Sequence, residues 1–254
     1  MGDLVDLREL LESWPYNPDA SVRVGKGKDG RLIMQVRLPL GIEQYEMDGR
    51  PDGQRPHGCE SVLDHYLHRQ TAARAAGKAN AFRLNGEQCA ELHGEGMLYY
   101  YRYLRLLQIK DWGRMTRDTA RNLRLFDFVH HYAEREADQK HLEQWRPYLL
   151  RMHATASAMI EWEQERHLQA REILMNALNQ IEALPDMDED TFRVERERSV
   201  SALRELARQI DKSRPISELE LLEIELREAI NAQAFERAAE LRDQIRTRRE
   251  PKQN

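Results

Sequence analysis

The sequence predicts a mainly α chain: a small N-terminal antiparallel β-meander, a body of helical hairpins, and a separate helical hairpin at the C-terminus. Three observations carry that prediction. Charged residues make up 33% of the 254 positions against 41% hydrophobic, and the mean hydropathy is −0.79, a balance that suits helices with long solvated faces. Apolar residues alternate with polar ones only between residues 22 and 47; beyond residue 60 they recur every three or four positions. Turn formers gather at 48–58 and 212–215, which sets the expected boundaries: meander and loop 1–58, helical body 59–212, hairpin 216–254.

The elements follow in order. Residues 1–13 place Leu4, Leu7, Leu10 and Leu11 on one side of a short amphipathic helix. Trp14-Pro15-Tyr16-Asn17-Pro18 ends it, because proline lacks an amide donor and restricts its predecessor. Val22 and Val24 form one strand; Leu32, Met34, Val36 and Leu38 form a second; Tyr45 and Met47 suggest a third. Asp29-Gly30 closes the first hairpin. Ser61 is expected to cap a helix reaching Ala76, with Gly77 ending it. Asn85 and Gln88 have capping-box spacing and open the next helix. Asp111-Trp112-Gly113 reads as a tight break before a helix carrying Met115, Leu123, Phe126, Val129 and Tyr132. Pro147 suits the first turn of a fourth helix. Apolar residues from Ile173 to Leu184 mark a fifth, stopped by Pro185, and those from Phe192 to Ile210 a sixth.

The helix pair over 154–184 resembles a tetratricopeptide repeat. Ala154 and Ala158 supply small residues on one helix, and Ala170, Leu174 and Ala177 match the spacing on the other. The pair over 97–132 has the same plan but puts Tyr103, Met115 and Asn122 where small residues belong. An ordinary helical bundle accounts for the same lengths, and both readings stand at this point.

Leu219, Leu222, Leu226 and Ile230 share one helical face, and Phe235, Ala238, Ala239, Leu241, Arg242 and Ile245 follow after a short break. Two short helices so closely joined must lie antiparallel. Phe235-Glu236-Arg237-Ala238-Ala239-Glu240-Leu241-Arg242-Asp243, with Ala229 upstream, resembles the UVR motif of UvrB and UvrC, which also occurs in the unfoldase ClpC and the adaptor McsA. Gln233 stands where that family usually has leucine, and Ala234 where it has a polar residue. The resemblance implies docking of a protein partner or of a second copy, with Arg242 and Asp243 as candidate charge partners.

Chemistry is harder to find. No Gly-rich loop ends in Gly-Lys-Ser/Thr, and no nucleophile elbow or His-Glu-x-x-His appears. A net charge of −5 does not favour a dedicated nucleic-acid binder. Two cysteines, no apolar run of membrane length and no signal-peptide pattern lead to an expected cytoplasmic location. His57, Cys59, Cys89 and His93 lie close enough in sequence to suggest a zinc site, but without compact ligand pairs. Residues 50–58 read either as a recognition loop or as a plain turn. Tyr99, Tyr100, Tyr101 and Tyr103, with Arg102 and Arg105, mix aromatics and positive charge in a way that suits base stacking or simple helix packing. The expectation is therefore a non-enzymatic adaptor without cofactor or metal. The alternatives are a DNA-repair protein binding UvrB, UvrC or DNA, and a metal-binding protein.

Overall fold

The computed structural model describes residues 6–213, 222, 225–226, 229–230 and 235–249. It is mainly α with one antiparallel sheet of order β1-β2-β3, and its chain divides into two compact units, Met1–Ile210 and Asp211–Asn254.

The first unit opens with α1 (Arg8–Ser13). Leu4 lies outside the described residues, Leu7 and Leu10 stay exposed, and Leu11 is half-buried. The meander follows as β1 (Val22–Lys26), β2 (Leu32–Leu38) and β3 (Gly41–Glu46). Gly30 has φ +83°, a conformation that glycine adopts without strain. Register pairs Val22 with Val36 and Met34 with Tyr45. Met34, Val36, Tyr45 and Met47 are buried in the same core as Val62, Leu63, Leu92 and Leu106 from the helices. A three-stranded meander is marginal alone, and here the helices cover one face of it.

Helix α2 (Val62–Ala75) starts where the Ser61 side chain accepts from the Asp64 amide. It ends in a Schellman pattern, with the Gly77 amide donating to the Arg74 carbonyl and the Lys78 amide to Ala73. The long helices α3 (Gly86–Gln108) and α4 (Trp112–Tyr132) pack on each other. Both halves of the Asn85–Gln88 capping box are present at the start of α3. The break before α4 falls earlier than the sequence suggested. Lys110 takes φ +58°, Asp111 caps, and Trp112 is already helical. A short helix, α5 (Glu136–Glu143), precedes α6 (Arg146–Glu163), α7 (His167–Glu182) and α8 (Asp190–Ser213). Ala154, Ala158, Ala170, Leu174 and Ala177 form one apolar cluster with Leu203, Ala207 and Ile210; small side chains let these helices approach closely. No helix among the described residues is long and apolar enough to cross a membrane.

An ionic network fastens sheet to helices. Arg102, fully buried, donates to both oxygens of Asp118 at 2.7 and 2.8 Å and to the Glu46 carbonyl at 2.8 Å. Arg117 donates to the Met47 carbonyl at 2.8 Å and pairs with Asp48 at 2.8 Å. Glu95, 2% exposed, accepts from the Val62 and Leu63 amides at 2.7 and 3.1 Å. A carboxylate there satisfies the open donors at the start of α2 and complements the helix dipole. Arg50 at 3.3 Å and Arg121 balance its charge. A buried carboxylate needs such partners to stay ionised.

Candidate functional site

The C-terminal unit carries the candidate docking site. Positions 222, 225–226 and 229–230 are helical, and α9 (Phe235–Arg249) is the second arm of the hairpin. Ala229 and Leu241 are buried against each other, with Leu222 and Leu226 packed on them. Arg237 crosses between the arms to Glu225 at 3.2 Å and also meets Glu240 at 3.1 Å. These contacts make the arms face each other, as the spacing of apolar residues requires.

The apolar residues then sort into two sets. Leu222, Leu226, Ala229 and Leu241 serve the hairpin's own interior, and Ile245 is buried. Ile230 and Phe235, flanking positions 231–234, are 49% and 71% exposed. Ile230 and Phe235 thus leave two large apolar side chains exposed on the hairpin, and it is grouped apolar exposure, not a single exposed residue, that marks interaction surfaces. Asp243 pairs with Arg246 at 3.1 Å, one turn along α9, while Arg242 and Ala239 are exposed. Leu219, Gln233, Ala234 and the Ala238 side chain lie outside the described residues.

The zinc alternative finds no common centre. The His57 Nε2 is 2.7 Å from a Glu91 oxygen, and its ring stacks on His65 at 4.2 Å. Cys59 Sγ is 4.0 Å from His68 Nδ1. Cys89 is buried, its thiol directed at the Leu84 carbonyl, and burial pushes that thiol up to about 11, away from the thiolate that metals need. His93 packs on His141 at 4.6 Å. Among the described residues no three His, Cys, Asp or Glu side chains are placed to hold a metal ion.

The 50–58 loop is anchored inward. Arg50 reaches Asp52 at 2.9 Å and Glu95, Pro51 is buried, and His57 ties to α3 through Glu91. Two hydrogen bonds, from His57 and Tyr66, hold the Glu91 carboxyl below its ordinary range despite burial, which acts the other way. The tyrosine stripe splits by face. Tyr99 and Tyr103 are buried, with the Arg121 guanidinium 4.1 Å above the Tyr99 ring, while Tyr101 is 45% exposed. With Tyr100 half-buried, only Tyr101 of the four is exposed, so the stripe offers no continuous exposed surface for stacking bases.

What the sequence reading missed is the buried charge. Glu95 and Arg102 stand seven residues apart on α3, two turns, and so share one helix face; ionisable residues on an inward face were the available signal.

In comparison with known families, residues 216–247 match the model of the UvrB/uvrC motif. No curated protein and no solved structure matches the chain.

Proposed function

We propose that this chain is a non-enzymatic adaptor whose C-terminal hairpin docks a second protein, with Ile230 and Phe235 as the apolar contact. One observation carries the reading. Within a segment matching the UvrB/uvrC motif, Ala229 and Leu241 are buried with Leu222 and Leu226 half-buried against them, and Phe235 is left 71% exposed. A hairpin this short buries little by itself, so a partner that covers Phe235 and Ile230 adds apolar burial the unit lacks. The partner of best fit is another helical hairpin, either a second copy or a related module, because two such arms offer matching grooves. The basic and acidic residues around it, Arg242 among them, supply rim charges that orient docking more than they strengthen it.

The test is affinity purification from the native host with three baits: the full chain, the chain ending at residue 213, and Phe235→Ser. We expect truncation to remove a specific partner or self-association, and Phe235→Ser to weaken it by at least about tenfold, since an apolar anchor is commonly worth ~1.4 kcal/mol or more. An interaction profile identical for all three baits rejects the proposal.

A further inference from the structure

The sheet ends on β1, whose outer side pairs with no other strand among the described residues. Hydrogen bonds fix which backbone groups face that open edge. The Arg37 amide donates to the Ser21 carbonyl and the Gly27 amide to the Arg31 carbonyl. Between them the register pairs Arg23 with Gln35 and Gly25 with Ile33. Bonded and non-bonded pairs alternate along an antiparallel ladder. Residues 21, 23, 25 and 27 therefore address β2, and the amides and carbonyls of Val22, Val24 and Lys26 point away from it. Val24 is 42% exposed and Lys26 is exposed, so this side of the strand is open to a partner. A recess of about 610 Å³ lies along the same strand and its hairpin, with Arg23, Val24, Gly25, Lys26 and Lys28 in its lining. Gly25 leaves the space of a side chain empty there.

Charge singles out the partner. The chain carries a net charge of −5, yet this edge is basic. Asp29 and Glu46 are both taken by Arg31, at 2.5 and 2.8 Å. Arg23 lies 4.0 Å over the Trp14 ring and donates to the neutral Gln35 at 2.6 and 2.9 Å. Among the described residues, Arg23, Lys26 and Lys28 have no acidic partner. Lysine on an edge strand deters pairing with its own kind, because two copies of β1 side by side would add three cations to three. The same cations favour an extended chain that brings carboxylates.

We propose that β1 is a strand-addition site for an acidic, extended segment of a partner protein, apart from the C-terminal hairpin. The added strand pairs with the free amides and carbonyls of Val22, Val24 and Lys26. Its side chains alternate between the two faces. Carboxylates on one face lie beside Arg23, apolar residues on the other cover Val24, and acidic residues at the end of the strand meet Lys26 and Lys28. Main-chain bonds supply the affinity, and charge supplies the choice of partner.

The experiment is fluorescence anisotropy of the full chain with labelled probes. The first is a peptide of alternating glutamate and valine with an extra glutamate at each end. The others are the same peptide with every backbone amide methylated, the peptide with lysine for each glutamate, and a single-stranded thymidine oligonucleotide. The acidic peptide is expected to bind, and its methylated form to bind at least about tenfold more weakly, because it keeps the charge and loses the main-chain donors. Lys26→Glu with Lys28→Glu is expected to weaken the acidic peptide about tenfold without moving the melting temperature, since both side chains are exposed. Val24→Pro removes an amide that faces the open edge and no bond to β2; it is expected to weaken the peptide several-fold while the circular dichroism stays that of the parent. No binding of the acidic peptide at millimolar concentration overturns the proposal. Equal affinity for the methylated or the lysine peptide does so too. Tighter binding of the oligonucleotide also overturns it and assigns the basic edge to a nucleic acid, and a dimer that Val24→Pro dissolves overturns it in favour of a second copy.

Discussion

Arg102 and Asp118 have no exposed surface, and each satisfies the other through two hydrogen bonds. Removing one strands the other, so Asp118→Ala should cost about 3–5 kcal/mol and lower the melting temperature by roughly 10 °C in a unit of this size. The Arg102→Met, Asp118→Leu pair should recover much of that loss, because no charge is left buried. Calorimetry on the two variants measures it; an Asp118→Ala variant as stable as its parent would show that the pair is not as dry as its burial indicates. Three histidines set a pH dependence. Burial lowers His65, His93 and His153 from their ordinary value; neighbouring His57 and His141 add to the effect on the first two, and a hydrogen bond at Thr116 opposes it on the third. Each therefore takes up a proton more readily in the unfolded chain. As pH falls below about 6.5, the unfolded state binds more protons than the native one, and stability declines. Urea midpoints at pH 7.5 and 5.5 should differ in that direction, and His153→Gln should narrow the gap.

At the scale of elements, helix ends divide into those the sequence announces and those it does not. Ser61, Asn85 with Gln88, and Gly77 act on amides and carbonyls within four residues of themselves, so pattern alone identifies them. Asn85→Ala should cost α3 about 1 kcal/mol, measurable as a lower denaturation midpoint. Lys110 and Glu165 also end helices in the left-handed conformation, at φ +58° and +60°, but side chains other than glycine rarely take that role; this is why the break before α4 was expected at Trp112. Helix α5 escaped notice for a related reason: it buries only Leu142 and has no side-chain cap. The packing of α6 on α7 was better signalled, since alanines at regular spacing have few purposes other than close approach. Ala170, fully buried in that interface, should not tolerate enlargement. Ala170→Leu is expected to destabilise by about 1–3 kcal/mol, and a neutral result would mean the helices can move apart at no cost.

For the whole molecule, the division into two compact units means that stability and docking should separate. A chain ending at residue 213 should melt cooperatively within a few degrees of the full chain; a broad, early transition would show that the C-terminal unit supports the first. The hairpin's identity was readable because its motif fixes residue types, not just apolar spacing. Its orientation was not, since periodicity cannot tell the face turned to the other arm from the face turned to a partner. Only three-dimensional contacts put Leu222 and Leu226 half-buried against Ala229 and Leu241 and leave Phe235 exposed. The ionic network that joins sheet to helices has one more consequence. Arg102 and Arg117 address the carbonyls of Glu46 and Met47, and Glu95 addresses the amides of Val62 and Leu63. All four are backbone atoms: the two carbonyls are present in every residue type, and the two amides in every type but proline. An insertion or deletion between these two anchor points would pull the anchors out of step, whatever residues it used. A one-residue insertion at the exposed Gly53–Gln54 step should therefore cost more stability than a substitution at the same step.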